Sequence, residues 1–274
     1  MRFTRLLLIA IFGLAAGPSR AGGEDPDLNY AYAVFTGTGK YSLNDRTIYV
    51  FRAPLEFDLK PVNYDAGETL GLTLLLPVAV GFTDFEDIDE LPELSVDDVQ
   101  SVSIVPGLEF PFALKPNWLL KPFAHAGLGV DTKSDSETFI WGTGIRSSAT
   151  FGEDGNWLVG AEFLWAGEKP NNNDPDNDFV RWGIGAEYKI PSERQLFGRR
   201  ISWHARLIQW YFSNAVNFEP PLQPFKLEKS TEIGIAMGFS RPFNILGYKL
   251  RQAGIGFEKS NDYEAITLYA SFPF

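Results

Sequence analysis

The chain is 274 residues long, with 24 Lys and Arg against 35 Asp and Glu, a formal net charge of −11 and no cysteine. The acidic balance argues against nucleic acid as a partner, whose binding proteins carry basic faces. The missing cysteines exclude both a disulfide framework and a thiol for lipid attachment. Residues 1–21 read as a secretory signal peptide: Arg2 and Arg5 form a basic start, 6–16 an uncharged apolar run, and Ser19-Arg20-Ala21 a small-residue cleavage region. That apolar run is shorter than the roughly 20 residues a spanning helix needs. Loss of Arg2, Arg5 and Arg20 takes the net charge from −11 to −14, and residues 22–274 are expected to form one domain.

From residue 29 the apolar residues recur with a period of two, the period of a strand with unlike faces. The expected first strand is 30–35, followed by a loop over 37–45. The second runs over 46–59, with Tyr49, Phe51, Ala53, Leu55 and Phe57 opposite Arg52, Glu56 and Asp58. The third alternates from Leu70 to Phe82, and Pro77 in its middle predicts a bulge. After an acidic loop over 84–98, the fourth turns Val102, Ile104, Pro106, Leu108 and Phe110 away from Glu109. A turn over 111–117 leads to the fifth, 118–131, with Lys121, His125 and Asp131 on its polar face.

The sixth, 137–151, carries Arg146 on its polar face. The seventh, from Trp157, carries Glu162, and the eighth, to Ile190, carries Arg181, Glu187 and Lys189. The ninth sets Ser202, His204 and Arg206 opposite Trp203, Ala205 and Leu207, and the tenth sets Glu232 opposite Ile233 and Ile235. The eleventh, 248–259, has the weakest phase, because Arg251 shares parity with Ile255 and Phe257. In the twelfth, Ile266, Leu268, Phe272 and Phe274 form an apolar face up to the last residue. That strand is expected to pair with 30–35 and to turn this face outward.

Twelve alternating strands, joined by turns that are alternately long (84–98, 169–178, 214–228) and short (111–117, 153–156, 241–247), predict an all-β fold. The prediction is an antiparallel transmembrane β-barrel of about 12 strands with apolar residues outward and a polar lumen. An even count puts both chain ends on one side of the membrane. Aromatics at strand ends, such as Trp118, Trp157 and Tyr188, suit the interfacial girdles.

On the leader, the twelve segments and terminal Phe274, the chain resembles Gram-negative outer-membrane β-barrels. Within them it is similar to solitary autotransporter-type barrels, on the run Ile104-Val105-Pro106-Gly107-Leu108-Glu109-Phe110 through Trp118, Pro122-Phe123 and Gly127 to Gly144-Ile145-Arg146-Ser147. The resemblance implies a cell outer-membrane protein like an autotransporter translocator without a passenger, in contact with outer-membrane lipids, lipopolysaccharide and the barrel-assembly machinery. Two departures stand out. Only about eight residues separate the expected cleavage site from the first strand, and Pro273 precedes the terminal Phe.

The expected lumen set is Arg52, Glu56, Asp58, Glu109, Lys121, His125, Arg146, Glu162, Arg181, Glu187, Lys189, His204, Arg206 and Glu232. Charges of both signs either cross-pair and close the interior or line a channel, and twelve strands lie between filled and open barrels. We expect a closed, salt-bridged lumen without catalysis, cofactor or metal. The alternative is a small porin-like channel for ions or small solutes. A lipid-modifying hydrolase ranks third: His204 shares a face with Ser202, but that face points inward, and His125 has no serine on its strand. Asp174, Asp176 and Asp178 have calcium-loop spacing without the required Gly and distal Glu. The acidic 84–98 loop is a candidate for divalent cations shared with lipopolysaccharide phosphates.

Overall fold

The computed structural model describes residues 34–35, 37–43, 46–84, 101–132, 136–152, 154–171, 177–213, 228–245, 248–261 and 263–274. They form one closed antiparallel sheet of fourteen segments: β1 (Thr38–Leu43), β2 (Arg46–Lys60), β3 (Leu72–Asp84), β4 (Ser101–Ile104), β5 (Gly107–Glu109), β6 (Phe112–Lys115), β7 (Trp118–Asp131), β8 (Glu137–Phe151), β9 (Trp157–Pro170), β10 (Asn177–Leu196), β11 (Arg199–Ser213), β12 (Lys229–Ile245), β13 (Tyr248–Lys259) and β14 (Tyr263–Tyr269). Segments β4, β5 and β6 follow one another in a single place in the wall, so the barrel has twelve strands. β14 pairs with β1 and closes it. In a bilayer no water satisfies a strand edge, so only a sheet without edges is stable there.

The period of two sorts the side chains. Phe51, Phe139, Trp165, Trp182, Ile235, Ile255, Ile266 and Leu268 stand on the outer face, all exposed in the isolated chain. Thr73, Glu109, His125, Glu162, Arg181, Glu187, Arg206 and Glu232 are buried on the inner one. Moving an exposed Leu or Phe from water into hydrocarbon contributes roughly 1.5–3 kcal/mol. An apolar band of this kind around a polar interior is the outer surface of a membrane barrel, and its place is the outer membrane.

Four details depart from the sequence expectation. The wall does not begin at 30–35: residues 30–33 lie outside the described set, while Val34 and Phe35 are helical in conformation and buried inside the barrel. The first strand is β1, within the stretch expected as a loop; it is polar but hydrogen-bonded on both edges, to β2 and β14. Pro77 causes no bulge. It stands opposite Pro54 in a continuous β2–β3 register, and the break falls on the other side of β3, where Val105-Pro106 separates β4 from β5. Pro111 likewise separates β5 from β6, so the expected turn over 111–117 shrinks to 116–117.

Finally, β14 stops at Tyr269, and Phe272 and Phe274 turn into the lumen, 9% and 4% exposed. The cause is loss of a partner. The chain leaves the wall before Thr38, whose register partner is Leu268, so nothing remains on that side for residues 270–274 to pair with. Pro273, without an N–H, could not extend the ladder in any case.

The ends of the barrel are unlike. The end carrying the termini has the connections 61–71, 116–117, 152–156, 197–198 and 246–247, and 197–198 is a tight turn with positive φ at both Phe197 and Gly198. The opposite end carries the two longest connections, 85–100 and 214–228, together with the shorter 44–45, 132–136, 171–176 and 260–262. Of the expected 84–98 loop, only Asp84 lies within the described residues.

Candidate functional site

The lumen is the site, and three groups of side chains fill it. At its centre is an ion-pair chain. Arg146 donates to Glu109 at 3.0 Å through Nη1 and to Glu162 at 2.9 Å through Nε, and Arg181 donates to Glu162 at 2.6 Å. The geometry follows from register, because Arg146 stands directly opposite Glu162 across β8 and β9. Both guanidinium groups also lie on aromatic faces, Arg146 over Phe123 at 4.2 Å and Arg181 over Trp210 at 4.4 Å. Charges this deep are tolerated only when paired and hydrogen-bonded.

Val34 and Phe35 pack beside that chain. Arg181 Nη1 donates to the Phe35 carbonyl at 2.7 Å. The Phe35 ring packs edge-on to His125, centroids 5.6 Å apart, in an apolar cluster with Val34, Leu75, Val105, Ile140, Leu164 and Phe179. Gly142 makes the room: a Cβ there would lie 2.4 Å from the Phe35 ring. His125 is held from the other side too, its Nδ1 3.1 Å from the Val105 carbonyl and its ring against Phe123. Arg52, Pro54, Glu56, His125 and Arg146 border a small cleft beside the cluster. Arg52 Nε is buried there without a hydrogen-bond partner.

The C-terminal tail fills the other side. Phe274 packs on Trp210 at 5.3 Å and on Phe272 at 5.1 Å, with Ile208 completing the cluster. Gly160, Gly183 and Gly185 form its floor, and at each a Cβ would lie 3.0 Å or less from the Phe274 ring or Cβ. Arg206 reaches the Ser271 carbonyl at 3.4 Å and pairs with Glu232.

Most of the expected lumen residues meet in these groups. Asp58 contacts Thr73 at 3.4 Å near the terminus end. Glu56 and Lys189 face solvent at that end, and Lys121 lies within electrostatic reach of Glu109 and Glu56. His204 lies between Ser202 Oγ, 2.9 Å from its Nε2, and Glu187 Oε1, 2.7 Å from its Nδ1. Sequence reasoning missed Glu258, buried and accepting from Ser230 and Tyr263. Its signal was parity, because Arg251 is exposed on the outer face with Ile255 and Phe257, which sends Glu258 inward. It also missed Phe35 and the inward apolar set Ile140, Leu164, Phe179, Ile208 and Trp210.

Among the described residues no three His, Cys, Asp or Glu side chains gather in a metal-binding group. Of the calcium-like spacing, Asp178 accepts from Trp165 Nε1 at 2.9 Å, while Asp174 and Asp176 lie outside the described residues.

No family model and no curated protein matches the chain. Among solved structures it is similar to the β domain of the Bordetella autotransporter BrkA, at 8% identity, 85% coverage of this chain, 96% of that one and a TM-score of 0.46. It is also similar to the NanC porin, at 9% identity, coverage of 85% and 97% and a TM-score of 0.43. The siderophore receptor PirA from Pseudomonas aeruginosa aligns at 11% identity over 84% of this chain and 38% of that one, with a TM-score of 0.36. The chain is a closed, twelve-stranded outer-membrane β-barrel, on the strength of its own strand pairing, closure and outward apolar face.

Proposed function

We propose that the barrel serves as a translocator-like outer-membrane element with a structural or transport-related role, held closed at rest by Phe35 and by the 272–274 tail. One observation carries this reading: Phe35 and Phe272–Phe274 occupy the lumen from opposite sides of the Glu109–Arg146–Glu162–Arg181 chain. Export by the 1–21 leader, insertion by the barrel-assembly machinery and contact of the acidic outer loops with lipopolysaccharide belong to the same proposal. The termini end then faces the periplasm.

The test is conductance of the full-length protein in planar bilayers. The reading expects a closed barrel with rare, brief openings; a stable open channel would sink it. A porin-like channel for ions or small solutes is the alternative. It is favoured by the cleft beside Arg52 and Glu56, and a steady conductance that changes its ion selectivity in Arg52→Gln would establish it.

A further inference from the structure

The trio at the termini end of the lumen has an order that packing alone does not require. The Glu187 carboxylate, acceptor only when ionised, takes the hydrogen from His204 Nδ1 at 2.7 Å. That fixes the tautomer and leaves the Nε2 lone pair to accept the Ser202 hydroxyl at 2.9 Å. A nucleophile held by a base, with the base oriented by a carboxylate, is the arrangement of an activated serine. Two neighbours complete it. Gln252 Nε2 donates to the second oxygen of Glu187 at 3.3 Å, holding the carboxylate from β13. Gly238, the register partner of Ser202, leaves room for the Oγ–Nε2 pair: a Cβ there would lie 2.4 Å from Nε2 and 2.8 Å from Oγ.

Access is from the termini end. Ser202 is the fourth residue of β11, and Lys189, the register partner of His204, is exposed. The apolar tail lies deeper, on Ile208 and Trp210. Ser202 and Glu187 are buried and His204 is half-buried between them, so the trio lies on the lumen face just below that opening, away from lipid.

We propose that Ser202, His204 and Glu187 form a hydrolytic centre for small acyl esters entering from the termini end. Ser202 Oγ attacks the ester carbonyl carbon while its proton passes to His204 Nε2. The bond from that carbon to the alcohol oxygen breaks, and Nε2 returns the proton to the departing alcohol. Water then attacks the acyl-serine by the same relay, releasing the carboxylic acid and restoring Ser202. Glu187 stabilises the imidazolium formed in each half.

The test uses the folded, heat-modifiable full-length protein in detergent, exposed to a small fluorophosphonate and to p-nitrophenyl acetate. The expected result is one phosphonyl adduct, mapped to Ser202 by mass spectrometry and absent in Ser202→Ala. Ester turnover should fall by roughly 100-fold or more in His204→Asn, the usual weight of a general base. It should fall at least about tenfold in Glu187→Gln, where the amide no longer stabilises the imidazolium. A folded parent protein that forms no adduct overturns the proposal, and so does equal labelling or equal turnover in Ser202→Ala. The parent and the near-isosteric Ser202→Ala keep the test decisive even if the Glu187 variant fails to fold.

Discussion

Phe35 and the 272–274 tail enter the same lumen, but they are held in different ways. Phe35 arrives with a polar anchor: its carbonyl accepts from Arg181, which is locked to Glu162, and its ring lies in a ten-residue buried cluster. Phe274 arrives with apolar contacts, on Trp210, Phe272 and a floor of three glycines, and the Ser271 carbonyl beside it accepts from Arg206 at 3.4 Å. The first insert is tied by a short hydrogen bond to the central charge chain, whereas the second rests mainly on van der Waals contact and on the longer Arg206–Ser271 contact.

The sharpest way to break this contrast is Glu162→Leu. It leaves both Arg146 and Arg181 buried without their shared carboxylate, a loss of about 3–5 kcal/mol for an orphaned buried charge. The urea midpoint in detergent should fall steeply, and Phe35 should lose its anchor. Phe35→Ala should cost about 3 kcal/mol, near the lower end for a large-to-small change in a core, because the N-terminal segment can partly collapse into the space. Gly142→Leu places a side chain where the Phe35 ring sits. It should cost about 1–3 kcal/mol by overpacking and raise channel opening. The smallest effect belongs to the C-terminal insert. Gly183→Ala, whose new methyl would meet Trp210 and Phe274, should shift the unfolding midpoint by about 1 kcal/mol while increasing opening frequency in bilayers. Equal stability losses from Gly142→Leu and Gly183→Ala would remove the distinction between the two inserts.

Much of the wall was legible from alternation. Where a strand is half lipid-facing and half lumen-facing, every second residue reports its face, and so Arg146, Glu162, Arg181, Glu187, His204, Arg206 and Glu232 were placed inward before any geometry was known. What alternation cannot report is whether a segment belongs to the wall at all. Residues 30–35 are apolar enough for a strand, yet Val34 and Phe35 fill the interior, and polar Thr38–Leu43 takes the wall position because it is hydrogen-bonded on both edges. The same blindness sent Phe272 and Phe274 outward. They share parity with Ile266 and Leu268, but their ladder partner had already left the sheet.

The candidate site was half legible. Ser202 and His204 were seen to share a face, but the third member, Glu187, comes from the neighbouring strand, and only the β10–β11 register brings it within 2.7 Å. The ion-pair chain was likewise visible as a set of charges, while its wiring depends on β8–β9 pairing.

The central claim, a barrel whose last residues turn inward, is tested most directly by placing single cysteines in this cysteine-free chain. Leu268→Cys and Phe274→Cys, each carrying a small environment-sensitive fluorophore, are compared in bilayers containing brominated lipid. The structure predicts strong quenching at position 268 and little at 274. Equal quenching at the two positions would place the C-terminus in the wall and contradict the account.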